Sequence, residues 1–281
     1  MKKFLKWVGF VAAGFVGLVA IAYAVVWFKS NRELSRVYTV AADAAIAIPT
    51  DAASIAEGHR LAQLSGCTHC HGENLANGEP VDIPHLARFV APNLTKVART
   101  YDDAQFVALL RHGVKRDGTG ALFMPAGMFR FQRDEDMARV IAWVRSMPEV
   151  DGTTDKSQLR PLGRTVVALG QFKTSAREIE ESPEAPMGFD AADPLSHGRY
   201  IAMNFCTECH GHDLNGIELA HSPPLTVAKG YSLEQFSRLM HDGVGAGDRT
   251  FELMTPTAKV RFSNFTTEEV SALHAYLQSR T

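Results

Sequence analysis

Hydrophobic and polar positions follow two regimes along this chain. From Trp7 to Phe28 it runs 22 residues without a charge, which as a helix spans the roughly 30 Å hydrocarbon core of a bilayer. Lys2, Lys3 and Lys6 precede the run and Lys29 closes it. Residues 1–30 therefore predict an N-terminal membrane anchor. The rival is a cleaved secretory signal, because Ala22-Tyr23-Ala24 has the small-x-small form of a processing site. Val25 to Phe28 carry the apolar run past that point and favour the anchor. The lysines ahead of the span favour an N-terminus inside and the bulk of the chain outside, and either reading exports the rest of the chain.

Beyond the anchor the pattern is helical and occurs twice. Gly58 to Gly72 (GHRLAQLSGCTHCHG) answers His197 to Gly211 (HGRYIAMNFCTECHG), with the cysteines 139 positions apart. Ala91 to Thr95 (APNLT) answers Ser222 to Thr226 (SPPLT) at an offset of 131. Tyr101 to Val114 matches Tyr231 to Val244 at 130, and Asp134 to Ser146 matches Thr267 to Ser279 at 133. The drift places a deletion of about nine residues in the second copy, after its cysteine motif. Phe106, Leu109 and Leu110, like Phe236, Leu239 and Met240, fall at the i, i+3, i+4 spacing of one buried helix face, and Gly113 and Gly243 stand at the C-terminal stop. Met137, Val140 and Val144 answer Val270, Leu273 and Leu277 in a last helix. Ser232-x-x-Gln235 and Thr266-x-x-Glu269 read as capping boxes. No segment sustains a period of two. The expected fold is all-α: residues 50–147 form one small helical domain, 193–281 a second, and 148–192 a linker. That linker contains Glu178 to Pro186 (EIEESPEAP), with the composition of exposed chain, and Leu162 to Phe172, apolar enough to pack on the chain's own domains.

Composition narrows the chemistry. Of 281 residues 46% are hydrophobic and 21% charged, ordinary for globular protein, and 29 Lys+Arg against 31 Asp+Glu leave a net charge of −2. Such a balance offers no basic surplus for a phosphate backbone, so no nucleic-acid partner is expected. All four cysteines fall in two C-x-x-C pairs, Cys67/Cys70 and Cys206/Cys209, each followed at once by a histidine, His71 and His210. Two thiols to tether a porphyrin and an imidazole to hold its iron are the attachment signature of c-type haem, and two motifs predict two covalently bound haems. A zinc site or a redox C-x-x-C explains the cysteines but not the histidine after each pair.

The repeat also supplies a sixth iron ligand. Met124 lies eleven residues after Gly113 and Met254 eleven after Gly243, each expected in a loop ahead of the last helix with Pro125 or Pro256 close behind. Met128 is the rival sulfur in the first copy, although it aligns with Ala258; Met240 belongs to a helix face. A thioether in the sixth position raises the potential and closes the iron to oxygen chemistry, so the pattern reads as electron transfer. The other imidazole nitrogen needs a carbonyl, which Pro92 and Pro223 are placed to offer, with Pro224 an equal fit in the second copy. His69, His85, His112, His212, His221, His241 and His274 have no counterpart across the repeat and read as surface or core residues.

In these motifs, in the Phe123-Met124-Pro125 and Leu253-Met254-Thr255-Pro256 segments and in last helices carrying Trp143 and Tyr276, the chain resembles a membrane-anchored dihaem cytochrome c built from two class I domains. The resemblance covers about residues 55–146 and 193–281. It implies a helical shell around each haem and single-electron transfer from a membrane or periplasmic donor, a dehydrogenase or quinol-oxidising complex, to an acceptor such as a terminal oxidase or soluble cytochrome. It also implies a single-pass protein of the bacterial inner membrane with its haem domains in the periplasm. The layout is similar to cytochrome subunits of periplasmic dehydrogenases, although those commonly carry three haem motifs, and to the dihaem subunit of certain oxidases. The alternative is a dihaem redox enzyme of peroxidase or thiosulfate-oxidising type, in which one iron would be open or differently ligated.

Overall fold

The computed structural model describes residues 2–41, 43–182, 189–190, 192–218 and 221–280. Helix α1 (Lys2–Leu34) runs unbroken through Ala22-Tyr23-Ala24. Its apolar window has a mean hydropathy of 2.3 and is not buried against the rest of the chain.

In the first unit α2 (Ala52–Leu64) opens at Asp51, whose carboxylate accepts from the Ser54 amide. Gly66, at φ +76°, turns the chain into a single helical turn, α3 (Cys67–His71). A hairpin of β1 (Val81–Ile83) and β2 (Ala87–Phe89) comes next, then α4 (Leu94–Val97). Helix α5 (Asp103–His112) starts at a capping box of Asp102 and Gln105 and stops at Gly113, φ +65°. Short α6 (Ala126–Phe129) leads to α7 (Asp134–Ser146), whose first turn carries three acidic residues beside its free amides.

Residues 148–182, expected as linker, fold back on this unit. Strand β3 (Gln158–Leu159) adds to β2 to complete a three-stranded antiparallel sheet, α8 (Pro161–Ala168) packs on α1, and α9 (Ser175–Glu181) packs on α5 and α6. Backbone fit holds the segment down: a Cβ on Gly152 would lie 2.3 Å from the Ala76 carbonyl oxygen, and one on Gly163 2.1 Å from that of Leu86. Phe172 stacks on Phe89 at 5.8 Å. Part of EIEESPEAP, residues 183–186, lies outside the described residues.

The second unit repeats the plan with α10 (Ser196–Phe205), α11 (Thr207–His210), α12 (Leu233–Asp242), α13 (Met254–Val260) and α14 (Thr267–Ser279). Both capping boxes expected here form, at Ser232 with Gln235 and Thr266 with Glu269. The length difference between the copies falls where the first unit carries its β1–β2 hairpin.

Each unit is organised by its first long helix crossing its last, α2 on α7 and α10 on α14. Leu61, Ala62 and Leu64 bury themselves against Met137, Val140, Ile141 and Val144, and Ile201, Ala202 and Phe205 against Val270, Leu273 and Leu277. The crossings are close because each has a glycine at its centre, Gly58 and Gly198. The two cores merge into one connected apolar cluster, so the units pack directly on each other. One buried and one half-buried polar pair frame that contact. Tyr200 of α10 donates to Asp136 of α7 at 2.6 Å, while Arg60 of α2 bonds both carboxylate oxygens of Glu269 on α14, at 2.8 and 2.9 Å, and the Asn264 carbonyl. Asp136 and Glu269 occupy the same position of the two last helices.

Candidate functional site

The cysteine turns sit between two elements that fix their backbone. Gly72 and Gly211, directly after the histidines, adopt φ of +78° and +77°, which only glycine does freely. Leu75 and Leu214 are also left-handed, at φ +57° and +59°, and wholly buried. The carbonyls of this pair receive the amides of Leu94 and Leu225, at 2.7 and 2.9 Å. In each copy that bond pulls the proline segment back over the motif.

The histidines are thereby oriented alike. His71 Nδ1 lies 2.9 Å from the Pro92 carbonyl oxygen, and His210 Nδ1 lies 2.9 Å from that of Pro223. A carbonyl only accepts, so Nδ1 carries the proton and Nε2 is left with its lone pair. Burial holds both imidazoles below their ordinary pKa, partly opposed by the carbonyl bond, and the neutral ring is the ligating form. Of Pro223 and Pro224, it is the carbonyl of Pro223 that the ring meets.

The four cysteines are unpaired by disulfides and half-buried. Burial pushes the thiols of Cys67 and Cys206 up to about 12, and raises Cys70 and Cys209 as well. Neutral thiols are poor nucleophiles for a redox C-x-x-C. Among the described residues no three His, Cys, Asp or Glu side chains cluster as a metal site by themselves. Free thiol pairs beside an imidazole with its Nε2 lone pair available are the donor set that a thioether-linked haem requires.

Met124 precedes α6 and is half-buried against the core. Its carbonyl is held by the Ser175 hydroxyl and by the Ala126 amide at 2.8 Å. Met254 is also half-buried on the core, but as the first residue of α13 rather than in a loop. The helix tolerates Pro256 because a proline in the first turn lacks an amide that would have no intrahelical partner anyway. Met128 is 2% exposed and packed in the core, and Met240 is buried on α12. Of the remaining histidines, His59 stacks on Trp143 at 4.8 Å, His112 meets Asp43 at 2.9 Å, and His274 bonds the Tyr231 carbonyl at 2.9 Å.

Sequence reasoning missed Arg261. The guanidinium donates from Nε to the Leu64 carbonyl at 3.0 Å, just ahead of Cys67, and pairs from Nη1 with Glu208 at 2.7 Å, inside the second motif. It thus bridges the two cysteine turns, and its positive charge counters the upward shift of all four thiols. Nothing in a one-dimensional repeat marks such a residue, because Arg261 works across the interface of the copies.

Two helical units each present paired thiols and an oriented imidazole from one turn, the donors that a haem-attaching protein requires. The family model for cytochrome c matches residues 55–148 and 195–281, and the chain belongs to the cytochrome c family. Membership implies covalently bound haem c, and the chain's role is electron transfer. It is 32% identical over 171 residues to the fructose dehydrogenase cytochrome subunit of Gluconobacter japonicus, an alignment covering 56% of this chain and 34% of that protein. It is 27% identical over 180 residues to the alcohol dehydrogenase (quinone) cytochrome c subunits of Gluconacetobacter polyoxogenes and Komagataeibacter europaeus, covering 57% of this chain and 36% of each relative. The chain therefore spans about a third of the length of the curated relatives it matches.

Proposed function

We propose that this chain is a dihaem electron-transfer subunit that accepts single electrons from a dehydrogenase or quinol-oxidising complex and delivers them to a terminal oxidase or soluble cytochrome. The names of its relatives support a dehydrogenase as donor. In this reading Cys67, Cys70 and His71 with Met124 hold one haem, Cys206, Cys209 and His210 with Met254 the other, within domains at about 50–147 and 193–281. Bound haem supplies a one-electron ferric/ferrous couple. The residues around it would tune that couple: the carbonyls of Pro92 and Pro223 keep each imidazole in the Nδ1–H tautomer and raise its basicity, and the sulfurs of Met124 and Met254 as ligands would raise the potential. Helix α1 is read as an uncleaved anchor in the bacterial inner membrane, with both domains in the periplasm, because the apolar run continues past the small-x-small site to Phe28.

The observation that carries the proposal is the duplicated His Nδ1 to proline carbonyl contact, 2.9 Å in both copies, which prepares two equivalent axial imidazoles. A potentiometric titration of the visible spectrum tests it. The full chain is expected to show two haems and two waves, one lowered by Met124→Ala and the other by Met254→Ala. A wave indifferent to its own substitution, or a high-spin haem in the wild type, refutes that ligand and brings forward the dihaem enzyme.

A further inference from the structure

Arg261 reaches both cysteine turns from one place. A Cβ on Gly66, the residue before Cys67, would lie 3.1 Å from the Arg261 Cζ. The Nε bond to the Leu64 carbonyl holds the guanidinium at the end of α2, and Nη1 is 2.7 Å from Glu208, which sits between Cys206 and Cys209. The Arg261 side chain is 12% exposed, so its charge is poorly screened by solvent. Met128 Sδ lies 4.0 Å from Nη2, and Phe262 packs beside the guanidinium at 5.6 Å, which closes the apolar side of the junction. In the first motif the place of Glu208 is taken by His69, so one carboxylate serves the single guanidinium from the second copy only.

From this geometry we infer that Arg261, with Glu208 as its counter-ion, is a positioning residue of the junction between the two attachment turns: it ties the turns to each other and sets the potentials of both haems together. The inference rests on two haems being bound, as proposed above. Haem c would be tethered through the cysteines, so turns that share one guanidinium would hold the two attachment points within the field of the same charge. The electrostatic sign is fixed. Oxidation adds one positive charge to a haem, and a neighbouring guanidinium opposes it, so Arg261 holds both potentials up while Glu208 holds them down.

The test is the potentiometric titration of the full-length holoprotein carrying Arg261→Gln, Arg261→Lys or Glu208→Gln. Expected are a downward displacement of both waves in Arg261→Gln, an upward displacement of both in Glu208→Gln, and largely restored potentials in Arg261→Lys, which keeps the charge but not the bond to Leu64. Glu208→Gln leaves the Arg261 to Leu64 bond intact, so it reads the electrostatics even if Arg261→Gln loosens the packing. Displacement of one wave only, or of neither, in Glu208→Gln overturns the shared junction. Fewer than two haems in the wild type would instead overturn the dihaem proposal, and a haem count by the pyridine assay separates that failure from this one.

Discussion

Substituting Gly58 in the α2–α7 crossing probes the packing most directly. By propensity alone Gly→Ala within a helix is favourable by roughly 0.5–1 kcal/mol. The structure reverses the sign. The new Cβ would stand 1.9 Å from the Arg139 carbonyl oxygen and 2.4 Å from its carbon, where ordinary contact begins at 3.4 Å. Both atoms are helix backbone and cannot rotate away, so the helices must part by about 1.5 Å, enough to forfeit half or more of the dispersion attraction at the crossing. Overpacking of this kind costs typically about 1–3 kcal/mol, and a backbone clash belongs at the upper end. Net of the propensity gain, Gly58→Ala should destabilise by about 2 kcal/mol, a fall of about 4–8 °C in melting temperature. Gly198→Ala should behave alike, because its Cβ would lie 2.1 Å from the Ala272 carbonyl oxygen. Gly17→Ala in α1, with nothing within 4 Å, is the control. Thermal unfolding of the holoprotein monitored by circular dichroism reads all three. A Gly58→Ala protein melting at or above wild type would mean that the crossing is not the tight contact described.

Tyr200→Phe removes a 2.6 Å bond to the buried Asp136 and should lower stability by about 1–2 kcal/mol; an unchanged denaturant midpoint would refute the pairing. Arg60→Ala leaves Glu269, only 14% exposed, without its cation, at a cost of about 1–2 kcal/mol after allowance for partial solvation. Calorimetry should then resolve the two units into separate transitions, and one sharp peak would count against Arg60 as a tie between them. Backbone and hydroxyl bonds from Ser54 hold the Asp51 carboxyl below its ordinary range, and Arg160 does the same for Asp82. Carboxyls depressed in the folded state stabilise it above their unfolded pKa near 4 and lose that contribution as pH falls through the folded value. The part of the stability that these two carboxyls supply should therefore stay level above about pH 5 and decline below about pH 4. Asp82→Asn should shallow the acid limb, and an identical limb in the variant would exclude the Arg160 pair as a contributor.

How much of the fold is legible in the sequence depends on the range of the interactions involved. Helices α5, α7, α12 and α14 announce themselves because their apolar faces are local and appear twice, helped by capping boxes at α12 and α14 and by glycine stops at α5 and α12, and Pro92 and Pro223 stand out because each opens the same short segment after a histidine. Asp102, which caps α5, carries the same signal as Ser232 and is readable from it. The three-residue strands of the hairpin are too short to show a period. Residues 148–182 read as linker, apart from the apolar Leu162 to Phe172, because charge and proline dominate the composition near Glu178, whereas what also holds them is backbone against backbone at Gly152 and Gly163, which composition does not record. Arg60, Arg261 and Tyr200 act between copies, so neither copy alone explains them. One trace is present: acidic residues recur at the third position of both last helices, Asp136 and Glu269, and a repeated acid on the inner side of a helix asks for a cation or hydroxyl from elsewhere in the chain.

The two copies agree and differ along a physical line. They agree in the backbone of the helix crossings and of the cysteine turns: Gly58 with Gly198 at the crossings, Gly72 with Gly211 after the histidines, Leu75 with Leu214 in left-handed turns. At the crossings a Cβ has no room, in the turns the left-handed φ is what repeats, and the geometry of the histidine depends on those turns. They differ at the periphery, and the additions belong to the first unit. Among the described residues it alone has the hairpin, the added strand β3 and the helices α8 and α9, and it is this unit that meets α1. There Arg164 donates to Ser30 at 3.1 Å and lies over Trp27, and Tyr38 donates from its amide to the Gly118 carbonyl at 2.9 Å. A chain leaving a helix through such contacts is a short bracket rather than a tether. The second unit needs no bracket of its own because it shares a core with the first, so its position relative to α1 is set by the same interface that brings Arg261 between the cysteine turns. Loosening that interface would therefore disturb two things together, the reach of the second unit from α1 and the contact between the two attachment turns.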